Sequence, residues 1–412
     1  MRRLVTSCRG CDLLHLFTRH SEKPRSRWLP RLYIRRNEVL MASAKGRSIG
    51  VGVVGCGPIG RLRAAIAAHH PLVSSVVVCD RVDEIAKQAA GDFGATRWTA
   101  DFEELVADPG VDAVIVSTTE GEHFAPAASA LDAGKPTIVE KPLTLELAQS
   151  AQLLELSARN GVALFTGYTQ RFRGRFLAGL ERVRSGSLGT ILAIRGSIWL
   201  TRPVAAGVYT RAPATTPAVN TMTYVADLTL WYVGSNKPVT VAAAGSGHAG
   251  ITGGGGFETA WALVTFEDGA IANLGVSWGL PARHPSFGAS MDLEVFGSRG
   301  VIHINDDHRE SLIVMEEPQT SLHYDGKPID SLFPGSSMPG GWFQGTYFGP
   351  MRTETDEFIR AAAGAPTSGV LATGGDGHNA LRLTTAIDIA LAERRTVELS
   401  EVRGHWFDEA GR

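Results

Sequence analysis

Four cysteines in 412 residues are too few for a disulfide framework and favour a reducing compartment. No apolar run approaches the roughly eighteen residues a membrane helix needs, so the sequence holds no candidate for a spanning segment. Charge of either sign is also lacking in excess. Forty basic residues face 42 acidic ones, a formal net charge of −2, which gives no electrostatic case for nucleic acid or an anionic membrane surface. No His/Cys/Asp/Glu cluster has metal-ligand spacing, and no internal repeat is visible. What remains is 44% hydrophobic residues over a length that suggests two or three domains with a sizeable core.

The first forty residues differ from the rest. They hold ten Lys/Arg and three Asp/Glu, a local charge of +7, so the remainder carries −9. A secretory signal is excluded because Arg9, Asp12, His15 and Arg19 interrupt the apolar stretch. Residues 1–40 read as a disordered or mis-called leader with Met41 as the natural start, a mitochondrial transit peptide being the other reading. Without them the chain is mildly acidic, as for a cytoplasmic enzyme. The Cys8/Cys11 pair with His15 and His20 has the wrong spacing for a zinc finger and follows no strand. Cys56 and Cys79 read as small buried thiols.

From Ser48 strands and helices alternate. SIGVGVV, VSSVVVCD, VDAVIVST, PTIVE and VALFTGY are apolar strands, and helices of about ten residues lie between them, among them Pro58–His69 and Leu145–Arg159. Continuous apolar strands of this kind belong to a parallel sheet covered on both faces, here over residues 48–168. Beyond about residue 188 the pattern is strand and turn: TILAIRGSIWL, PVTVAAAGSG, TAWALVTFED, AIANLGVSW, MDLEVFGS and GVIHIND, with one helical stretch at about Thr221–Val233. Residues 169–412 are therefore expected to form a second domain around an antiparallel sheet. Segments 248–256 and 318–341 read as loops, and two closing helices, about Thr353–Ala363 and His378–Arg394, as packing back on one of the two domains.

Gly55-Cys56-Gly57-Pro58-Ile59-Gly60 fits GxGxxG between a strand and a helix. The first two glycines permit a tight turn and close approach to a pyrophosphate, and the third lets helix and strand pack. The helix N-terminus supplies N–H donors and a positive dipole end. Asp80, twenty residues beyond Gly60, ends the next strand, where a carboxylate accepts from ribose hydroxyls and favours NAD. Arg81 beside it leaves NADP open, and the bland alternative is a packing turn that binds nothing.

Further along, Thr118 with His123 follows the strand VDAVIVST, then come Glu140-Lys141-Pro142 and GYTQRF at Gly167–Phe172. With LGTILAIRGSIW, LWYVG, ETAWALVTFEDGAIANLGVSW and LEVFGSRGVIHI, the sequence closely resembles the glucose–fructose oxidoreductase / inositol dehydrogenase / MocA (Gfo/Idh/MocA) family over most of its length. The resemblance implies an α/β Rossmann-like doubly wound parallel sheet plus an α+β C-terminal domain with a large open, mostly antiparallel sheet. It implies a homodimer or homotetramer formed through that sheet, and substrate held between the domains.

The resemblance also implies a site. Lys141 lies beside the nicotinamide and stabilises an alkoxide, and Pro142 can make the Lys–Pro bond cis. Glu140 is read as an orienting partner. Many relatives carry Asp-x-x-x-His at the start of the interdomain helix. Here Asn220 takes the place of the carboxylate and Tyr224 that of the histidine, as in the branch holding glucose–fructose oxidoreductase and dihydrodiol dehydrogenase, where tyrosine carries the proton. An unperturbed tyrosine titrates near pH 10, so it needs the adjacent ammonium to act near neutrality. Four residues apart, 220 and 224 fall on one helix face and can address one ligand. The alternative for Tyr224 is a core role. Thr118, Glu120 and His123 are assigned to the cofactor pocket. Arg171 is assigned to substrate or nicotinamide, or else to a domain-linking salt bridge, and Trp199 and Arg202 to the substrate end of a long strand. The expected activity is NAD(H)-dependent hydride transfer at a secondary hydroxyl or keto carbon of a sugar, cyclitol or related polyol. An NAD-dependent glycosidase using transient oxidation and a non-catalytic dinucleotide sensor are the competing readings.

Overall fold

The computed structural model describes residues 46–247, 250–253, 256–286, 288–307, 313–320, 328–332, 341–343 and 346–407. The expected leader, with Cys8 and Cys11, lies outside them.

Six parallel strands form the first sheet: β1 (Ile49–Val54), β2 (Val73–Cys79), β3 (Arg97–Thr99), β4 (Ala113–Val116), β5 (Thr137–Glu140) and β6 (Leu164–Gly167). Their spatial order is 3-2-1-4-5-6. Every residue of β1 and β4 is buried, which is why both read as unbroken apolar runs. The order reverses between β1 and β4, and ligands of such sheets bind outside the carboxyl ends at that switch point. Register aligns those ends: Cys79, Val54, Val116, Val139 and Thr166 pair across neighbouring strands in one row. Asp80, Gly55, Ser117, Glu140 and Gly167 follow it directly.

Helix α1 (Pro58–Ala68) returns from β1, with Pro58 in its first turn, where a missing N–H leaves no bond unmade. The helices α2 (Asp83–Phe93), α3 (Phe102–Ala107), α4 (Phe124–Asp132) and α5 (Leu147–Asn160) complete this half. Short β3 and α3 lack a periodic apolar pattern and were absent from the sequence reading.

After α6 (Gly174–Arg184) comes the second sheet: β7 (Ile191–Thr201), β8 (Pro238–Ser246), β9 (Thr259–Phe266), β10 (Ile271–Leu280), β11 (Ala289–Gly297) and β12 (Gly300–Asn305), with β18 (Val397–Glu398) at one edge. All pairs are antiparallel except β7 with β10. Alternate residues such as Ile198, Ala262, Leu274 and Leu293 face a core shared with helix α8 (Thr223–Val233). The sequence reading has one helix among these strands. The structure adds α7 (Arg202–Arg211) immediately after β7, so Arg202 opens a helix and does not end a strand. Within 318–341, read as loop, the described residues include parts of two paired strands, β13 (Ile313–Thr320) and β14 (Pro328–Leu332).

The closing helices pack on both halves, not on one. After the short strands β15 (Gly341–Phe343) and β16 (Thr346–Phe348), α9 (Pro350–Ala362) lies on α1. Then β17 (Ala372–Thr373) adds an antiparallel edge to β6. Helix α10 (Gly374–Glu393) starts there, fixed by a Thr373/Asp376 capping box, and continues to the second sheet, where Leu383, Ile387 and Leu391 enter its core. A side chain at Gly377 would meet Thr166 Oγ1 at 2.2 Å, so the helix can approach β6 only without one.

Candidate active site at the carboxyl edge of the first sheet

The glycine loop meets its expected constraints one by one. Gly55 has φ +94°, and a Cβ at Gly60 would lie 1.8 Å from the Gly55 carbonyl oxygen. Among the described residues, a Cβ at Gly57 would meet nothing within 4 Å, and the α1 N-terminus has no side-chain cap. Ser117 Oγ and Thr118 Oγ1, at the end of β4, are buried and have no hydrogen-bond partner among the described residues. A dinucleotide fits this edge: anionic groups over the loop, hydroxyl partners at β4, and a carboxylate beyond β2. Pro58 is exposed, and Ile59 packs with Leu62 and Tyr347. Asp80 also braces the loop, accepting from Cys56 N at 2.9 Å and Val82 N at 3.1 Å. Arg81 is exposed.

Lys141 follows β5 with a cis bond to Pro142. Its Nζ donates to the Asn220 carbonyl at 3.0 Å and sits 4.9 Å from the centre of the Tyr224 ring. The amine and the phenol ring thus meet from opposite halves of the molecule. Burial pushes the Lys141 ammonium down to about 8, against Glu120, which holds it up. His123 is buried; its Nδ1 donates to the Pro142 carbonyl at 2.8 Å, and Nε2 lies 3.3 Å from the Thr118 carbonyl. It ties the β4 and β5 ends together, and burial lowers its pKa.

Asn220 and Tyr224 do not lie on one regular helix. Ala218–Met222 is a π turn, and α8 begins only at Thr223. Such turns arise where one extra residue is accommodated, often at functional sites. Trp278 of β10 anchors this one, donating to Thr221 Oγ1 at 2.9 Å. The Asn220 amide is buried and donates to Glu120 Oε1 at 2.8 Å, so its side chain serves the protein where a sugar hydroxyl was expected. Glu120, in a short 3₁₀ turn, also accepts from Arg211 at 2.8 and 3.1 Å. Burial alone would raise its carboxyl; Arg211 and then Lys141 outweigh that and hold it at about 2. Arg211 was missed. It ends a helix with no periodic signal, and only its fold position distinguishes it from other arginines.

Three residues assigned to substrate make other contacts in the structure. Arg171 forms the salt bridge: it is 3% exposed, donates to Asp227 at 2.9 and 2.5 Å, and stacks on Trp231 at 4.9 Å. The GYTQRF stretch is a joint between halves, with Tyr168 bonded to Thr223 and Thr169 to Glu354. Trp199 points to the open face of the second sheet, edge-on to Trp261 at 5.5 Å, because odd positions of β7 face away from α8. Arg202 is exposed in the first turn of α7, and it is the last residue of that helix that reaches Glu120. Glu140 accepts from Arg63 Nε at 2.7 Å, an orienting contact inside the protein. Among the described residues no group of His, Cys, Asp and Glu could hold a metal ion, and no helix is long and apolar enough to cross a membrane.

A dinucleotide loop at the switch point, with a lysine at a neighbouring strand end that meets the π turn of the other half, defines a two-domain nicotinamide-dependent oxidoreductase. Two models of one family match: the Gfo/Idh/MocA oxidoreductase family with NAD-binding Rossmann fold over residues 49–168, and the GFO/IDH/MocA C-terminal domain over residues 176–303. The chain belongs to this family and is an NAD-dependent dehydrogenase. It is 27% identical over 370 residues to the myo-inositol 2-dehydrogenase of Thermotoga maritima, covering 86% of this chain and 99% of that one. It is 25% identical over 287 residues to the scyllo-inositol 2-dehydrogenase (NAD(+)) of Bacillus subtilis, covering 66% and 78%. The crystal structure of scyllo-inositol dehydrogenase from Lactobacillus casei with bound NAD(H) and scyllo-inositol matches with a TM-score of 0.68 over 86% of this chain and 100% of that one; at 21% identity this likeness concerns the fold.

Proposed function

We propose that the protein interconverts a secondary alcohol and a ketone on a cyclitol, sugar or related polyol, using NAD(H), in the cytoplasm. The observation that carries this is the meeting of Lys141 with the Tyr224 ring and the Asn220 carbonyl, beside the loop suited to a dinucleotide. The relatives named above, inositol dehydrogenases, support the substrate class.

In this reading NAD, when bound, supplies the nicotinamide that takes or gives a hydride. The amides after Gly57 would hold the pyrophosphate and Asp80 the ribose, and Thr118 would line the pocket. The Lys141 ammonium donates to the reacting oxygen and lowers the energy of the alkoxide as charge develops on it. Tyr224 exchanges the hydroxyl proton. Asn220, with its main-chain oxygen, holds the ammonium in place. His123 fixes the two strand ends relative to each other, so the lysine keeps its position over the loop.

The test is a panel of inositols, sugars and glycosides with NAD⁺ and NADP⁺ offered separately, followed by NADH absorbance. Turnover of a cyclitol or sugar with NAD⁺ is expected. Glycoside cleavage without net NADH would instead establish transient oxidation, and NAD binding with no turnover on any compound would establish a sensor.

Among the described residues nothing covers one face of the second sheet, where Trp261, Leu263, Ile271, Phe296 and Val301 are each more than a third exposed. We infer that a second copy of the chain covers this face in a homodimer or homotetramer. Sedimentation should give at least twice the chain mass, and aspartate at Leu263 should lower it; a wild-type monomer at micromolar concentration would rule the interface out.

A further inference from the structure

The Asn220 side chain is buried and cannot ionise. The negative charge at this position arrives from the other half of the molecule. Glu120, only 6% exposed in its side chain, receives the Asn220 amide at 2.8 Å and the forked guanidinium of Arg211. The carbonyl of the same Asn220 receives Lys141 at 3.0 Å. Lys141, Asn220, Glu120 and Arg211 therefore form one polar relay, two members from each half.

The carboxylate lies between two cations. A fork of two N–H groups fixes its position and plane, whereas the lysine reaches it through Asn220. Other groups facing Lys141 are spoken for: Glu140 on its own strand is bound by Arg63, His123 sits behind Pro142, and Tyr224 presents its ring.

Resting on the dehydrogenase reading above, we propose that Arg211 is a positioning residue: by clamping Glu120 across the seam it withholds that carboxylate from Lys141, leaving the ammonium free to serve a substrate oxygen. Without the clamp Glu120 turns to the lysine and pairs with it, and the lysine is occupied before substrate arrives. The side chain of Arg211 is 45% exposed, so its removal leaves no buried cavity.

The experiment follows Lys141 directly in the full-length protein without NAD. Lysines are reductively methylated with ¹³C, the Lys141 signal is assigned by its loss in Lys141→Arg, and each variant is titrated. Two effects act together in Arg211→Met: a like charge is removed and Glu120 is released. The Lys141 midpoint should rise by about half to one pH unit. In Glu120→Gln, where the attractive charge is gone and Arg211 stays, it should fall by a similar amount. Loss of charge alone would also split the midpoints, so the double variant Arg211→Met/Glu120→Gln decides: release of Glu120 makes the two shifts non-additive, and strictly additive midpoints overturn the proposal. An unmoved midpoint in Arg211→Met, or movement in the same direction in both variants, overturns the proposal. The measurement needs no substrate. Opposite shifts with no polyol turnover would therefore fail only the polyol reading, and polyol turnover with unmoved midpoints would fail only this one.

Discussion

Lys141→Met should lower turnover on the preferred polyol about a thousandfold, the usual scale for removing a donor aimed at developing negative charge. NAD affinity, measured by fluorescence titration, should change less than about threefold, because the glycine loop and Asp80 are untouched. The pH profile carries the sharper signature. Burial sets the Lys141 ammonium at about 8, so wild-type turnover should fall as pH rises through that value and the ammonium loses its proton. The residual activity of the variant should lack this alkaline limb, since methionine has no proton to lose. Activity within tenfold of wild type, or an unchanged limb, would remove Lys141 from the mechanism.

Arg63→Met should destabilise the protein by about 3–5 kcal/mol, the range for breaking a buried ion pair from one side. Arg63 is wholly buried on α1 and donates to Glu140 and Glu354 at 2.7 Å each and to Thr355 at 3.0 Å. Methionine fills much of the volume but leaves two carboxylates facing one another without a cation. Urea unfolding measures the loss, and a midpoint of thermal unfolding lower by on the order of 10 °C should accompany it. A loss under about 1 kcal/mol would mean that water or a proton replaces the guanidinium at little cost. The cluster joins α1, β5 and α9, so its loss should also loosen the strand end that carries Lys141.

The first sheet was readable because its strands are buried on both faces. Ile49–Val54 and Ala113–Val116 are continuous apolar runs, and Gly55 and Gly60 answer to steric demands that no other residue meets. The start of α10 was misread for a related reason. Gly374-Gly375-Asp376-Gly377 has loop composition, yet these residues are helical because the helix runs against β6, and local propensity says nothing of that approach. The π turn was likewise invisible: a four-residue spacing implies one helix face only if the winding is regular, and Trp278 holding Thr221 belongs to another element.

Sequence alone determined the dinucleotide loop, the lysine beyond β5 and the order of the two halves, because each depends on a short stretch whose neighbours along the chain dictate its conformation. Tertiary structure decided which charged groups meet. Arg171 went to Asp227 and Arg211 to Glu120, since a buried carboxylate takes its partner from whatever element folding brings near, at distances along the chain that no local pattern encodes.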